Sequence, residues 1–258
     1  MKETSTSYPK ALLRSAAITL LLFGLFLWTN WKLPIKELVL SSPYFLVIYF
    51  LLFTIGKPEV VAHWKERLKG KPEKAIIFPA LLILVLYTYL IVHGHTPFKG
   101  SAGLFIFYLL FPTLGFLAFQ KTALPATWSD IVIALLIVIP ATSMSFGVGT
   151  SLPFNGSGFS NAMRLVIMIS TVYSFNYIRN LPDVGFYPSF RWQSLFTALW
   201  VWLAFVGLVA LLGYFGNFLN LSGHNILSTQ FAYEWVKDFV RIFVGTALFE
   251  ELFLRGLL

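Results

Sequence analysis

Long apolar stretches alternate along the chain with short segments that hold most of its charged residues. A helix rises about 1.5 Å per residue, so an apolar run of roughly 20 residues can cross the hydrocarbon core of a bilayer. Strands of a membrane barrel would show shorter segments of alternating polarity. The pattern therefore predicts an all-α fold, a polytopic transmembrane helix bundle with about eight membrane helices. The predicted spans are Ser15–Trp31, Tyr44–Ile55 with a possible extension toward Leu38, Ala75–Val92, Leu104–Phe119, Ile131–Phe146, Ala162–Ile178, Ser194–Phe215 and Phe239–Leu258.

The composition supports a membrane protein and excludes several other classes. Hydrophobic residues make up 57% of the 258 residues and charged residues only 12%, which is well below the charge content of soluble domains. The net charge is +8, but the lysine and arginine residues lie between apolar runs rather than on one face with interleaved aromatic residues. We therefore expect no nucleic-acid partner. The absence of cysteine excludes disulfides, thiolate catalysis and cysteine metal sites.

The distribution of lysine and arginine predicts the orientation of the chain. The positive-inside rule favours a cytoplasmic N-terminus. The N-terminal residues have a basic front and an apolar stretch but no small-residue cleavage pattern, so we expect the first helix to stay uncleaved. The expected location is the plasma membrane of a bacterium. The most basic segment, residues 57–74 (KPEVVAHWKERLKGKPEK), is predicted to be a solvated cytoplasmic loop. The glycine-rich and serine-rich residues 147–161 lack the lysine of a phosphate-binding loop and are predicted to be a flexible connection.

Three ionisable residues interrupt the last apolar run, FVRIFVGTALFEELFLRGLL. If this helix starts near Phe239, Glu250 lies about 16 Å along its axis, close to the bilayer midplane. A charge there costs about 2.5–3.5 kcal/mol, whereas each Leu, Phe, Ile or Val contributes only about 0.3–0.6 kcal/mol. Glu250, Glu251 and Arg255 thus cancel the apolar contribution of the segment. We expect the helix to pack in a bundle with its charged face toward a polar interior.

Helical geometry separates the roles of the two glutamates. Glu251 and Arg255 are four residues apart, in the favourable order for an ion pair, whereas Glu250 is turned by about 100° from Glu251. One carboxylate can be held by the arginine while the other accepts a proton from water as a general base. A structural ion pair, or a final helix that lies at the membrane surface, would explain the same charges.

The Glu-Glu-x-x-x-Arg spacing on an apolar helix, preceded by VRIFVGTALF and followed by glycine, resembles the first signature motif of the CPBP family of intramembrane proteases. This family includes the type II CAAX prenyl proteases and bacteriocin-processing enzymes. RNLPDVGF at residues 179–186 and residues 190–205 also resemble its lead-in. The resemblance implies that residues 161–258 form the front of the protease domain, that Glu250 activates water, and that Glu251 and Arg255 support it. Residues 1–160 are predicted to be membrane helices of unassigned role.

The family also uses histidine motifs on later helices, and none follows Arg255 in these 258 residues. The sequence therefore predicts an incomplete or degenerate family member that is inactive as it stands, and the intact first motif favours an incomplete one. A divalent metal is compatible with the family, but the residues present imply neither a metal nor a cofactor. His93 and His95 form a His-x-His pair without an acidic neighbour in sequence, and we expect them to be solvated at the membrane interface.

Two other classes of function remain open at the level of sequence. A proton-coupled transporter would use midplane carboxylates as a relay, and a non-catalytic scaffold or immunity protein would keep the fold without the chemistry. The expected partners are membrane lipids and a peptide or membrane-protein substrate. The sequence does not specify the substrate or the oligomeric state.

Overall fold

The computed structural model describes residues 4–68, 71–94, 128–142, 151–154, 159–181, 192–216 and 229–242. Most of these residues are helical, as the apolar pattern predicts. The helices are α1 (Thr4–Thr29), α2 (Ile35–Ile55), α3 (Pro58–Leu68), α4 (Ile77–Val92), α5 (Trp128–Thr142), α6 (Ala162–Tyr173), α7 (Trp192–Phe215) and α8 (Thr229–Ile242). A 3₁₀ turn, Pro72–Ile76, leads into α4, and a π-helical turn, Ser174–Ile178, continues α6. Two short strands, β1 (Ser151–Leu152) and β2 (Ser160–Asn161), precede α6.

Four helical segments in the described part of the chain are long and apolar enough to cross a membrane. They coincide with the first, second, third and seventh predicted spans, so the chain is an integral membrane protein. The segments are Tyr8–Thr29, Ile35–Ile55, Glu73–Val92 and Phe196–Phe215. Ala162–Ile178 is apolar but shorter. The predicted span Leu104–Phe119 lies outside the described residues, as do residues 143–146 and 243–258 of two other spans, so the number of about eight remains a prediction.

The chain divides into two compact units, Met1–Tyr187 with Phe239–Leu258, and Pro188–Asp238. The described helices α1 to α6 belong to the first unit. In the second unit, α7 exposes apolar side chains around nearly its whole circumference, as lipid-facing helices do. This division concerns packing alone. The functional boundary after residue 160 rests on the family resemblance and stays a prediction.

Three helices begin nine or more residues before the predicted spans. Helix α1 begins at Thr4, eleven residues before Ser15. Helix α2 begins at Ile35, nine residues before Tyr44, because Pro34 stands at its N-cap and Glu37 in its first turn complements the helix dipole. Helix α8 begins at Thr229, so Phe239 is not the first residue of a helix. The sequence TQFAYEWVKDFVRI is strongly amphipathic, and a span placed by apolar content alone overlooks such a lead-in.

The segment predicted as a solvated loop, residues 57–74, is not simply a loop. Helix α3 occupies most of its first half and turns Val60 and Val61 into the protein, while its charged residues face outward. Against α1, the ring of His63 stacks on Tyr8 with a centroid distance of 4.4 Å. The prediction failed because valines and charges at helical spacing form an amphipathic helix even in a highly charged segment.

The predicted flexible connection at residues 147–161 also contains ordered structure. Ser151 pairs with Asn161 and Leu152 with Ser160 in an antiparallel ladder. The Asn161 side chain then caps α6 by accepting the backbone N–H of Arg164 at 3.2 Å. These two strands and the cap hold the start of α6 in place.

One end of the first unit, which we call the basic end, collects the start of α1, the end of α2, α3, the start of α4 and the end of α6. There, Lys57 donates to the carbonyl of Ala11 at 2.9 Å, and Tyr177 donates to the carbonyl of Ile55 at 3.0 Å. Burial lowers the pKa of the Lys57 ammonium, an effect that nearby Glu59 opposes and Arg14 reinforces.

The opposite end, which we call the histidine end, collects the end of α1, the start of α2, the end of α4 and the β1–β2 pair. An aromatic cluster packs between these elements. The ring centroids of Phe26 and Phe45 are 4.5 Å apart, and those of Phe26 and Phe159 are 5.7 Å apart. Because α1 and α4 run from the basic end to the histidine end and α2 and α6 run back, the relative sidedness matches the predicted alternation. The cytoplasmic location of the basic end remains a prediction.

Candidate functional sites

The motif Glu250, Glu251 and Arg255 lies outside the described residues, which end at Ile242. Helix α8 precedes the motif in the chain and carries a salt bridge of 3.6 Å between Lys237 and Glu234. The roles of the three residues therefore remain predictions from the sequence. The described residues contain two other buried groups of charged side chains, one near each end of the first unit.

The first group surrounds His93 at the histidine end. Its Nε2 atom lies 3.2 Å from Glu37 Oε1 and 3.4 Å from Ser41 Oγ, and the Ser41 hydroxyl is 3.5 Å from the same carboxylate oxygen. The His93 ring is 2% exposed and the Glu37 side chain 11%. An acid and an imidazole thus meet almost out of contact with solvent.

Local helical geometry places these side chains on facing surfaces. Glu37 and Ser41 are four residues apart on α2, and Tyr89 and His93 are four apart at the end of α4, so each pair lies on one helix face. Gly94 follows with φ of 81° and stops the helix in a left-handed conformation that suits glycine. The sequence around this turn thereby fixes the position of the His93 ring.

Two contacts orient the His93 ring further. Its Nδ1 atom lies 2.8 Å from the carbonyl oxygen of Tyr89, and its face stacks on Phe154 at a centroid distance of 4.8 Å. The Tyr89 hydroxyl donates to the carbonyl of Ser151, which joins α4 to β1. The His93 ring is therefore in contact with α4, with the residues that follow β1 and with α2.

The contacts of His93 show which partner each ring nitrogen faces. A carbonyl oxygen can only accept a hydrogen bond, so in the contact with Tyr89 the donor is Nδ1. Nε2 faces the Glu37 carboxylate and the Ser41 hydroxyl. The arrangement is a buried site in which an imidazole and a carboxylate meet.

The second group is an ion pair between α5 and the end of α6. Arg179 Nε donates to Asp130 Oδ1 at 2.6 Å, and Arg179 Nη2 donates to Asp130 Oδ2 at 2.8 Å. The two side chains are 3% and 4% exposed. This parallel, bidentate geometry is the strongest that an arginine and a carboxylate form.

The surrounding backbone presents Arg179 to this pair. The amide of Arg179 bonds to the carbonyl of Ser174 in the π-helical turn, and Asn180, with φ of 69°, ends the helix. Asp130 lies in the first turn of α5, where a carboxylate also complements the helix dipole. The pair joins the first turn of α5 to the residue that follows the π-helical turn. Tyr177, which belongs to the basic end, lies in that turn.

Sequence reasoning missed both groups. It treated Arg179 as a topology determinant and expected His93 to be solvated, and the second expectation is wrong because Glu37, far away in sequence, supplies the acidic neighbour. His95 lies outside the described residues. The available signal was an ionisable residue near the end of each apolar run, with Glu37, His93, Asp130 and Arg179 all in such places.

None of these groups is a complete metal site. Within the described ranges, no three histidine, cysteine or acidic side chains lie close enough together to hold a metal ion. The expectation that the residues present imply no metal or cofactor remains a prediction for the rest of the chain. Comparisons with models of known protein families, with curated proteins and with solved structures find no match to this chain.

Proposed function

We propose that the chain carries the catalytic glutamate of an intramembrane endopeptidase of the CPBP type. Glu250 activates a water molecule for attack on a peptide bond, and Glu251 and Arg255 support the motif. The observation that carries the proposal is the sequence Glu-Glu-x-x-x-Arg on an apolar segment of an integral membrane protein. Hydrolysis by activated water needs no cysteine, and the chain contains none.

Energetics supports a functional reading of the motif. A charged side chain at the centre of a membrane helix costs about 2.5–3.5 kcal/mol, so three of them within six residues are unfavourable unless they face a polar interior. Elsewhere in the same chain, Asp130 contacts Arg179 and Glu37 contacts His93, so each of these buried ionisable side chains has a partner. A glutamate left over from the Glu251–Arg255 pair, by contrast, is suited to accept a proton.

The test compares alleles of the native gene, kept with its downstream DNA, in the host cell. We expect deletion and Glu250→Gln to cause the same membrane proteins to accumulate uncleaved, measured by quantitative mass spectrometry of protein N-termini. Glu234→Gln is the control, because it removes an acid from the surface of α8. Normal N-termini in the Glu250→Gln strain, with the protein present in membranes, would contradict the proposal. If only the deletion has a phenotype, a non-catalytic scaffold is the better account.

A proton-coupled carrier is the second candidate, and the buried Glu37–His93 pair favours it. Titratable groups buried in a membrane bundle are the usual means of proton relay, and this pair brings a carboxylate and an imidazole together between two helices. For a carrier, Glu37 rather than Glu250 becomes the residue on which function depends.

An additional allele separates the two candidates. A carrier predicts that Glu37→Gln changes the accumulation of the transported solute as strongly as deletion does, while protein N-termini stay normal, as measured by metabolite profiling of cells and medium. Glu59→Gln, in the first turn of α3, is the matched control. Metabolite profiles that are identical in Glu37→Gln and wild-type cells, at equal protein levels, would exclude this candidate.

A further inference from the structure

A cavity of about 520 Å³ opens at the basic end of the first unit. Residues of α1 to α4, the 3₁₀ turn before α4, the end of α6 and the π-helical turn form its wall. Its volume lies within the range of about 300–1,000 Å³ that is usual for small-molecule sites. The cavity therefore raises a question of its own about what it binds.

The deep wall of the cavity is apolar because its few polar atoms already have partners. The Thr54 hydroxyl donates to the carbonyl of Phe50, and the hydroxyls of Tyr173 and Tyr177 donate to the carbonyls of Ala75 and Ile55. The remaining wall there consists of aliphatic and aromatic carbon. A ligand must therefore present a hydrocarbon part to this region.

Two cations stand at the same cavity. Arg67 and Lys74 both line it and are both exposed, and the Arg67 guanidinium lies 5.7 Å from the centroid of the Trp64 ring. No carboxylate of the described residues forms a salt bridge with either cation. Glu66 and Glu73 are their sequence neighbours, but adjacent residues do not face each other on a helical turn. The site thus combines an apolar interior with positive charge at its edge.

The location of the cavity favours a ligand that enters from the bilayer. Its walls include α2 and α4, two of the helices that can cross a membrane. Ile77 and Leu81 of α4 line it and are 54% and 53% exposed, so the apolar interior is continuous with the outer surface of a membrane helix. Tyr8 and Trp64 are aromatic residues of the kind found at the level of lipid head groups.

We propose that this cavity binds one anionic phospholipid. An acyl chain lies between α2 and α4 against Leu81, and the head-group phosphate lies at the edge, paired with Arg67 and Lys74. Charge complementarity selects the anionic head group, and the continuity with the lipid-facing surface of α4 selects a lipid over a soluble phosphate. The site does not depend on the proposed protease activity.

The first test measures lipid binding to the full chain by native mass spectrometry after its extraction from bilayers of defined composition. We expect retention of one phosphatidylglycerol and not of phosphatidylcholine with the same acyl chains. Arg67→Gln with Lys74→Gln should weaken retention by about tenfold or more, since each cation near an anionic lipid contributes a severalfold factor. Lys10→Gln with Lys71→Gln, two exposed lysines at the same end, removes equal charge and should change retention by less than about twofold.

A second pair of variants tests the acyl chain and does not alter charge. Leu81→Trp should displace the chain and reduce retention, whereas Leu84→Trp, at a similarly exposed leucine of α4 that does not line the cavity, should not. This pair still decides the question if the charge variants fail to fold. Equal losses in both charge variants, equal retention in both tryptophan variants, or displacement of the lipid by glycerol 3-phosphate alone would each overturn the proposal.

Discussion

Replacing Arg179 with methionine is expected to lower the free energy of unfolding of the first unit by about 3–5 kcal/mol. The substitution keeps most of the side-chain volume but leaves the Asp130 carboxylate, whose side chain is 4% exposed, without the guanidinium that donates two hydrogen bonds to it. A buried charge without its partner is among the most costly defects in a folded protein. The measurement is denaturation in mixed micelles with increasing SDS, followed by tryptophan fluorescence.

Two further variants separate the charge effect from the loss of packing. Asp130→Leu combined with Arg179→Met removes both charges, and we expect it to recover much of the stability, because apolar replacement of a whole buried pair is often neutral. Lys71→Met removes an exposed cation at the same end and should change the unfolding free energy by less than about 0.5 kcal/mol. A double variant as unstable as Arg179→Met alone would show that packing, and not the unpaired charge, dominates.

The features that the sequence predicted correctly are those that depend on residues close together in the chain. The predicted spans Ser15–Trp31, Ala75–Val92 and Ser194–Phe215 follow from apolar runs without charged residues, because bilayer thickness fixes how long such a helix must be. They overlap the observed segments Tyr8–Thr29, Glu73–Val92 and Phe196–Phe215. Helix α3 was not predicted, because the many charged residues of 57–74 indicated a solvated loop. Val60 and Val61 nevertheless lie at positions that one helix face can bury. The local sequence pattern therefore predicts where helices form better than it predicts what surrounds each helix.

The buried charged pairs could not be predicted, since each joins residues that only tertiary packing brings together. Asp130 and Arg179 are 49 residues apart, and the sequence around one residue does not indicate that the other is its partner. Glu37 and His93 lie at the ends of different helices, where a charged residue is usually solvated. Single ionisable residues at the ends of apolar runs are therefore ambiguous until their neighbours in space are known.

The two ends of the first unit differ in the chemistry that they can support. At the basic end, Arg67 and Lys74 leave positive charge beside an apolar cavity, which suits attraction of an anionic lipid. At the histidine end, Glu37 and His93 form a nearly dry pair of a carboxylate and an imidazole. If the basic end is cytoplasmic, as the positive-inside rule predicts, the proposed lipid site and this pair lie on opposite sides of the membrane.

The proposed endopeptidase predicts a large difference between two adjacent glutamates. With a substrate identified from the N-terminal profiles, Glu250→Gln should lower the cleavage rate by about 10²–10⁴-fold, because glutamine keeps the size of the side chain but cannot accept a proton from water. Glu251→Gln should lower the rate much less, since this carboxylate is assigned to the ion pair with Arg255 and not to the reacting water. The measurement is the single-turnover rate of peptide-bond cleavage in membranes isolated from cells that carry the native gene with its downstream DNA.

Variants of Arg255 test whether the second glutamate acts through this ion pair. Arg255→Lys keeps the charge and should retain part of the rate, whereas Arg255→Gln should match Glu251→Gln, and the combination of both glutamine substitutions should be no worse than either alone. The dependence of the rate on pH should keep its acid limb in these variants and lose it in Glu250→Gln, because only the general base must be deprotonated for catalysis. An acid limb that disappears in Glu251→Gln instead would exchange the roles of the two residues.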